Sequence, residues 1–171
     1  KEVRWLESNE CLKKLVLEEH VPVETYWDLG INDYTVVLFV QRVFQRVHLV
    51  DCQAFFGESM LEIATKLKKT DYRFGTFHLP HDANNREQTS GLSRKDVLQS
   101  VFRDVVVHER PKVKEDAIDA FRTTHKRFLI SNHTEGINTF WKALRGYRRE
   151  FNEETRVFGK APRHSWESHY V

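Results

Sequence analysis

Two aspartates follow apolar stretches that are predicted to be strands, and paired carboxylates in such positions can bind divalent cations. Asp28 ends "VPVETYWD", and Asp82 follows "YRFGTFHLP". Burying an unpaired carboxylate is costly, and two anions that lie close together raise each other's pKa unless a cation separates them. Oxygen ligands suit Mg²⁺ or Mn²⁺, and two such ions about 3.5–4 Å apart can promote phosphodiester cleavage. If the two strands are neighbours, the pair predicts a metal site.

Structural roles are the alternative for each acidic residue. Asp28 stands two residues before a glycine, and Asp82 lies in the loop-like stretch "HDANN", so both can simply form turns. Asp33 is interpreted as a turn residue. Asp51 also follows an apolar run, but nothing nearby completes a site, so a structural role is favoured.

Basic residues follow Asp82 and recur near one predicted helix end. Such clusters are usually solvated faces, but they can also hold phosphates. The net charge of +2, from 27 basic and 25 acidic residues, neither requires nor excludes nucleic acid. The candidate DNA contacts are Arg86, Arg94, Lys95 and Arg148.

The elements that would position these residues alternate between strands and helices. Residues 21–56 read as three strands joined by short turns, which favours an antiparallel meander. In the first strand, Thr25 and Trp27 share one face, whereas Tyr26 and Asp28 share the other. The order then becomes helix, strand, helix, strand, helix, with capping-box spacing at Ser59 and similar spacing at Ser93. This order predicts an α/β fold, a mixed sheet with helices on both faces.

The remaining segments and the composition narrow the class of protein. Residues 1–20 read as an amphipathic helix, and the polar tail from residue 152 onward reads as loop. The 171 residues suffice for one domain, and the longest apolar run, "VVLFV", is too short to span a membrane. Two distant cysteines indicate buried thiols rather than a metal site. No glycine-rich nucleotide-binding motif is present.

Three blocks of the sequence resemble the C-terminal nuclease domain of tailed-bacteriophage terminase large subunits. They are "VPVETYWDLGINDYTVVLFVQ", "FHLPHDANNREQTSGLSRKDVL" and "LRGYRREFNEETRVFGKAPRHSWESHYV". They occur in the order and spacing of that family, from about Val21 to the last residue. The resemblance implies a ribonuclease H-like fold, with a mixed sheet whose first three strands are antiparallel. It also implies a nuclease domain over residues 21–171, preceded by a helical linker remnant or extension over residues 1–20.

The resemblance implies specific roles for residues near the candidate site. Asp28 matches the catalytic aspartate of the family's first strand, and Asp82 matches the acidic residue of its fourth. His169 matches a histidine of the family's tail motif, which lies near the metals in some members. The third acidic ligand is expected immediately after Val171, with Glu167 as the alternative.

The function implied by the resemblance is a metal-dependent endonuclease that cuts concatemeric viral DNA during genome packaging. The expected cofactor is Mg²⁺ or Mn²⁺ in a two-metal site, and the expected substrate is double-stranded DNA. The portal protein and the small terminase subunit are expected partners in the cytoplasm of the host cell, with no membrane contact. A DNA-binding and portal-docking module without cleavage, or a resolvase or integrase of the same fold, are the alternatives. The family's ATPase motor motifs are absent from the sequence.

Overall fold

The computed structural model describes residues 1–30, 33–86, 91–110, 114–147, 149–152, 156–162 and 166–169. Its main feature is a six-stranded mixed sheet in the order β5-β4-β1-β2-β3-β6. β2 is antiparallel to both of its neighbours, whereas β4 and β5 on one side and β6 on the other run parallel to β1 and β3. The strands are β1 (Val23–Asp28), β2 (Tyr34–Val43), β3 (Arg46–Phe56), β4 (Phe74–Leu79), β5 (Val105–Val107) and β6 (Phe128–Ile130).

The sheet separates two hydrophobic clusters, and each contains helical residues. α2 (Met60–Lys68) and α3 (Arg94–Gln99) contribute to the cluster on one face. α1 (Glu2–Ser8) and α5 (Glu135–Gly146) contribute to the cluster on the other face. α5 crosses β3 so closely that a Cβ at Gly136 would lie 1.6 Å from the Cys52 carbonyl oxygen. The predictions of a mixed sheet with three initial antiparallel strands and of helices on both faces are therefore confirmed.

The helices α2 and α3 begin where their capping residues predict. Ser59 Oγ accepts a hydrogen bond from the Glu62 backbone N–H at 3.3 Å, and Glu62 Oε2 accepts one from the Ser59 N–H at 2.7 Å. Ser93 and Asp96 form the same reciprocal arrangement at the start of α3. Each box supplies acceptors to backbone N–H groups that have no partner within the helix. This local chemistry fixes the point at which α3 begins, close to the loop that carries Asp82.

The first strand keeps the predicted alternation, but its last residue differs from expectation. Val23, Thr25 and Trp27 are buried on one face of β1. Asp28 is exposed, because it ends the strand at the carboxyl edge of the sheet. The expectation that Asp28 ends the strand as a buried carboxylate was therefore wrong, and no desolvation cost needs to be explained there.

The N-terminal segment contains a shorter helix than its amphipathic pattern predicts. α1 ends at Ser8, rather than continuing to residue 20. Beyond it the chain lies along the edge strand β6: the Ile130 N–H donates to the Cys11 carbonyl at 2.7 Å, and the Lys13 N–H donates to the Ile130 carbonyl at 3.0 Å. These bonds satisfy backbone groups that a continued helix would have satisfied internally. Leu6 is fully buried in the core beneath this segment.

Three strands near the C-terminal end, β6, β7 and β8, were not predicted. Only helix was expected after the fifth strand, but α4 (Lys114–Thr124) and a short 3-10 turn give way to strand β6. In the tail, β7 (Arg149–Asn152) pairs with β8 (Val157–Pro162) as an antiparallel ribbon, followed by a 3-10 turn, Trp166–His169. The loop interpretation of the tail was wrong for β8, because a two-stranded antiparallel ribbon tolerates a proline, here Pro162, at the end of a strand. No helix in the described part of the chain is long and apolar enough to cross a membrane.

Candidate active site

The parallel pairing of β1 with β4 brings the two candidate aspartates to one edge of the sheet. Tyr26 lies opposite His78 in this pair, so both strands end at about the same level. Asp28 is the last residue of β1. β4 ends at Leu79, and Asp82 lies in the 3-10 turn His81–Asn84 directly after it. The condition set by the sequence, that the two strands be neighbours, is therefore met.

Asp82 has a buried carboxylate oxygen that receives no hydrogen bond within the described part of the chain. Its Oδ1 atom has no hydrogen-bond partner among the described residues, and no salt bridge reaches it there. The turn is fixed by the buried Ala83, whose N–H donates to the Pro80 carbonyl at 3.1 Å. An unsatisfied buried acceptor carries a desolvation cost that a cation can offset. Asp82 and the exposed Asp28 therefore suit a hard, oxygen-preferring divalent ion.

A comparison with another buried carboxylate oxygen makes the surroundings of Asp82 distinctive. Glu58 Oε2 is also buried and without a hydrogen bond of good geometry, but the Lys66 ammonium lies 2.5 Å from it. No such cationic side chain compensates Asp82 among the described residues. Among the described residues, the Asp82 carboxylate thus has neither a hydrogen-bond donor nor a counter-charge, so its buried oxygen is available to a cation.

The described residues supply two acidic side chains to this edge and no complete ligand set. No group of three His, Cys, Asp or Glu side chains suited to a metal ion occurs among them. Glu167 instead lies against the end of α5, where a Cβ at Gly146 would be 3.0 Å from its Oε1 atom. The backbone of His169 lies in the last 3-10 turn, but its side chain is outside the described structure. The roles expected for His169 and for a third acidic ligand remain predictions.

One predicted DNA contact, Arg94, is anchored beside the candidate aspartates. Its guanidinium donates a hydrogen bond to the Gly30 carbonyl at 3.2 Å. Arg94 is the first residue of α3, and Gly30 lies in the loop directly after Asp28. The bond therefore ties the start of this helix to the end of β1, and it holds a positive charge near the edge of the sheet.

Two further predicted DNA contacts lie close to the start of the same helix. Arg86 forms an isolated bridge with Ser93, immediately before α3. Arg86 and Lys95 contribute charge that lowers the pKa of Asp96, although its hydrogen bonds from Ser93 are the larger causes. Three of the four predicted contacts are thus grouped on one side of the site. The fourth, Arg148, lies outside the described residues.

A polar network on the same sheet face was not predicted from the sequence. Glu24 Oε2 accepts hydrogen bonds from Arg42 Nε and from the Tyr26 hydroxyl, each at 2.9 Å. The Tyr26 ring stacks on His78 at 4.4 Å, and His78 Nδ1 lies 2.9 Å from His108 Nε2. The alternation of β1 places Glu24 and Tyr26 on the face of Asp28, but the other members come from β2, β4 and the loop after β5. Sequence spacing alone could not have brought them together.

The network perturbs the ionisation of its members. Burial alone would raise the pKa of Glu24, but the hydrogen bonds from Arg42 and Tyr26 and the nearby positive charge lower it. Burial is also the main reason that the pKa of His78 is lowered, although the Glu24 carboxylate opposes it. Two residues along a strand span about 7 Å, so Tyr26 lies roughly that far from Asp28. The network therefore links β1 to β4 about two residues before the edge that carries the aspartates.

Asp51 has the structural role that the sequence favoured. It is buried in the middle of β3, and its Oδ1 atom accepts a hydrogen bond from the Cys52 backbone N–H at 2.8 Å. Its Oδ2 atom accepts from Gln53 Nε2 at 3.0 Å and from the Tyr72 hydroxyl at 3.3 Å. Its charge also adds to burial in raising the pKa of Cys52 to about 12. Both carboxylate oxygens are thus occupied by protein donors.

Comparison with known proteins finds similarity in three-dimensional structure but no match in sequence. No known family model matches the sequence, and no curated protein matches it. The solved nuclease domain of the phage P22 large terminase has 16% identity and a TM-score of 0.64, over 89% of this chain and 80% of that one. The large terminase nuclease domain of bacteriophage SPP1, with bound Mn, has 9% identity and a TM-score of 0.63, over 92% and 88%.

A longer large terminase shows how much of such a protein this chain matches. The large terminase of a thermophilic bacteriophage has 13% identity and a TM-score of 0.67. The match covers 95% of this chain but only 40% of the longer protein. With the six-stranded sheet and its strand directions, these similarities confirm the resemblance at the level of the fold. The chain has the ribonuclease H-like fold of large terminase nuclease domains.

Proposed function

We propose that this chain is a divalent-metal-dependent endodeoxyribonuclease that hydrolyses phosphodiester bonds of double-stranded DNA. The observation that carries the proposal is the buried Oδ1 atom of Asp82, which has no hydrogen-bond partner among the described residues and lies at the sheet edge where Asp28 ends the neighbouring strand. Two carboxylates at such an edge repel each other unless a cation lies between them. The similarity of the fold to a terminase nuclease domain with bound Mn supports the same choice of chemistry.

In this proposal Asp28 and Asp82 hold Mg²⁺ or Mn²⁺, and His169 contributes from the tail. Such ions stabilise the negative charge that develops at a phosphate and help to generate a nucleophile from water. The chain itself fixes the orientation of Asp82 through the 3-10 turn after Pro80. Arg94, held near the loop after Asp28, is positioned to bind a neighbouring phosphate. Arg86, Lys95 and Arg148 are proposed to contact the DNA backbone.

The biological setting that fits this activity is viral genome packaging in the cytoplasm of a host cell. There the domain would cut concatemeric DNA, together with the portal protein and the small terminase subunit. Residues 21–171 are proposed as the nuclease domain, and residues 1–20 as an extension or linker that packs on it. Translocation of the DNA would require an ATPase motor in the same assembly.

The direct test is nicking of supercoiled plasmid DNA by the purified chain, with Mg²⁺, Mn²⁺ or EDTA. The expected result is conversion to open-circular and linear DNA with a divalent ion and none with EDTA. Asp28→Asn and Asp82→Asn should each stop the reaction while leaving the circular dichroism spectrum unchanged. Cleavage that survives both substitutions, or that proceeds in EDTA, would reject the proposed site.

A non-catalytic DNA-binding and portal-docking module is the second candidate. It is favoured by one observation, that the described residues do not supply three metal ligands. DNA binding without nicking under any divalent ion would support this candidate. A resolvase or integrase of the same fold predicts a preference for branched DNA, so a four-way junction should be included beside a matched linear duplex.

A further inference from the structure

Two aromatic side chains are exposed on the same edge of the sheet as the candidate aspartates. Tyr34 begins β2 and Phe56 ends β3, and the antiparallel register places them directly opposite each other. Their ring centroids are 5.2 Å apart. Even so, Tyr34 remains 40% exposed and Phe56 remains 64% exposed. The contact between the rings therefore leaves much of their apolar surface open to solvent.

The position of this aromatic pair relative to Asp28 follows from the register. Asp28 lies opposite Val36, and Tyr34 precedes Val36 by two residues on the same strand. Because side chains alternate along a strand, Asp28, Tyr34 and Phe56 project from the same face of the sheet. The strand order β4-β1-β2-β3 then arranges two acids and two aromatic rings in sequence along one edge. The order is Asp82, Asp28, Tyr34 and Phe56.

We propose that Tyr34 and Phe56 form a stacking surface for an unpaired nucleobase next to the phosphate that is cut. This inference rests on the proposed nuclease function. Proteins that hold single strands combine cationic groups for the backbone with exposed aromatic rings on which bases stack. Here Arg94 lies by the loop after Asp28, and the rings lie on the neighbouring strands. One strand of DNA running along this edge would meet the cation, the acids and the aromatic pair in turn.

The geometry of the rings limits how a base can bind. Their planes are tilted by 50° and they already contact each other, so a base cannot insert between them. It stacks instead on the outer face of one ring, and Phe56 has the larger exposed fraction. The Asp33 carboxylate accepts a hydrogen bond from the Tyr34 N–H at 2.8 Å, which fixes the backbone from which the Tyr34 ring projects. A base held in this way would set which phosphate reaches the aspartates.

The test compares binding of a matched 20-base-pair duplex with the same duplex carrying a four-nucleotide unpaired bubble. Fluorescence polarisation in Ca²⁺ measures affinity without relying on cleavage. The parent is expected to bind the bubble more tightly, and the double variant Tyr34→Ala/Phe56→Ala should lose about tenfold of that preference. Matched-duplex affinity and its salt dependence should not change, because no charge is altered. Tyr34→Phe/Phe56→Trp should retain the preference.

Phe44→Ala is the matched control, because Phe44 is fully exposed in the turn that follows the opposite end of β2. It should leave the bubble preference unchanged. An unaltered preference in Tyr34→Ala/Phe56→Ala would overturn the inference. So would self-association of the parent in analytical ultracentrifugation that the double variant abolishes, since the pair would then be a protein interface. If the parent nicks plasmid DNA but the double variant keeps the full preference for the bubble, only this inference fails. If the parent neither binds nor nicks DNA, the proposed function fails with it.

Discussion

Asp51 and Asp82 are both strand-associated aspartates with buried carboxylate atoms, but their surroundings are opposite. Each carboxylate oxygen of Asp51 accepts a hydrogen bond: Oδ1 from Cys52, and Oδ2 from Gln53 and Tyr72. Asp82 keeps a buried oxygen with no partner in the described structure. The carboxylate of Asp51 is fully hydrogen-bonded within the sheet, whereas the buried oxygen of Asp82 needs a donor or cation that the described residues do not supply. The difference shows that burial alone does not mark a candidate metal ligand, because both carboxylate oxygens of the buried Asp51 already have protein donors.

The largest expected effect is on cleavage. Asp82→Asn should lower the rate of plasmid nicking by about a thousandfold, because it removes a ligand for ions that stabilise the transition state by several kcal/mol. Asp51→Asn, the matched control, should leave the rate of the folded protein within a few-fold of the parent. Initial rates at saturating Mn²⁺ measure both. Equal losses in the two variants would erase the distinction between the two aspartates.

The second prediction is that a divalent ion stabilises the parent but not Asp82→Asn. A ligand that binds only the folded state adds about 2.7 kcal/mol at one hundred times its Kd. Thermal unfolding with and without Mn²⁺ should therefore raise the Tm of the parent and of Asp51→Asn, but not that of Asp82→Asn. This readout does not depend on activity. A Tm increase that persists in Asp82→Asn would place the ion elsewhere.

The third prediction concerns the free energy of unfolding, for which Asp51 should matter more than Asp82. Asp51→Ala should lower the free energy of unfolding by about 1–3 kcal/mol, because the buried Cys52 N–H and the partly buried Tyr72 hydroxyl lose their acceptor. Asp82→Asn should be neutral or stabilising without metal, because it replaces a carboxylate whose buried Oδ1 atom has no partner among the described residues. Urea titrations in EDTA give both values. A large loss for Asp82→Asn would indicate a structural bond.

The fourth prediction concerns the network beside the site. Burial, partly offset by Glu24, makes the pKa of His78 lower in the folded state than in the unfolded chain. The unfolded chain therefore binds a proton more readily than the folded protein does. The contribution of His78 to stability is complete above the unfolded pKa, about 6.5, and is lost as the pH falls. The free energy of unfolding should thus fall with acidification below about pH 6.5, and less steeply in His78→Gln. Burial also lowers the pKa of His48, so His48→Gln measures how much His48 contributes to the same loss of stability at low pH.

The smallest effect is expected on the salt dependence of DNA binding. Each phosphate contact removed should flatten the plot of log affinity against log salt by about 0.9. Arg86→Ala/Arg94→Ala/Lys95→Ala should therefore reduce the slope, and Arg148→Ala can be measured separately. Arg122→Ala is the control, because Arg122 pairs with Asp119 on α4 at 2.8 Å. An unchanged slope in the triple variant would place the DNA path away from the Asp82 edge.

The sequence by itself determined the features that depend on neighbouring residues. The alternation of β1 follows from a period of two, and the starts of α2 and α3 follow from Ser59 and Ser93 with acids three residues later. The candidate pair, Asp28 and Asp82, could also be named, because both follow recognisable strands. Each of these patterns is satisfied by atoms within a few residues, so no distant part of the chain is needed to interpret it.

Only the tertiary structure decided the features whose partners lie far away in the chain. α1 stops at Ser8 because the backbone near Cys11 pairs with Ile130, more than a hundred residues later. β6 is three residues long, too short for a periodic signal, and becomes a strand by pairing with β3. The exposure of Asp28, and the lack of a partner for the buried Asp82 oxygen in the part of the chain that the structure describes, likewise depend on which groups surround them. Burial and hydrogen bonding are properties of the assembled surroundings, and residue spacing does not carry that information.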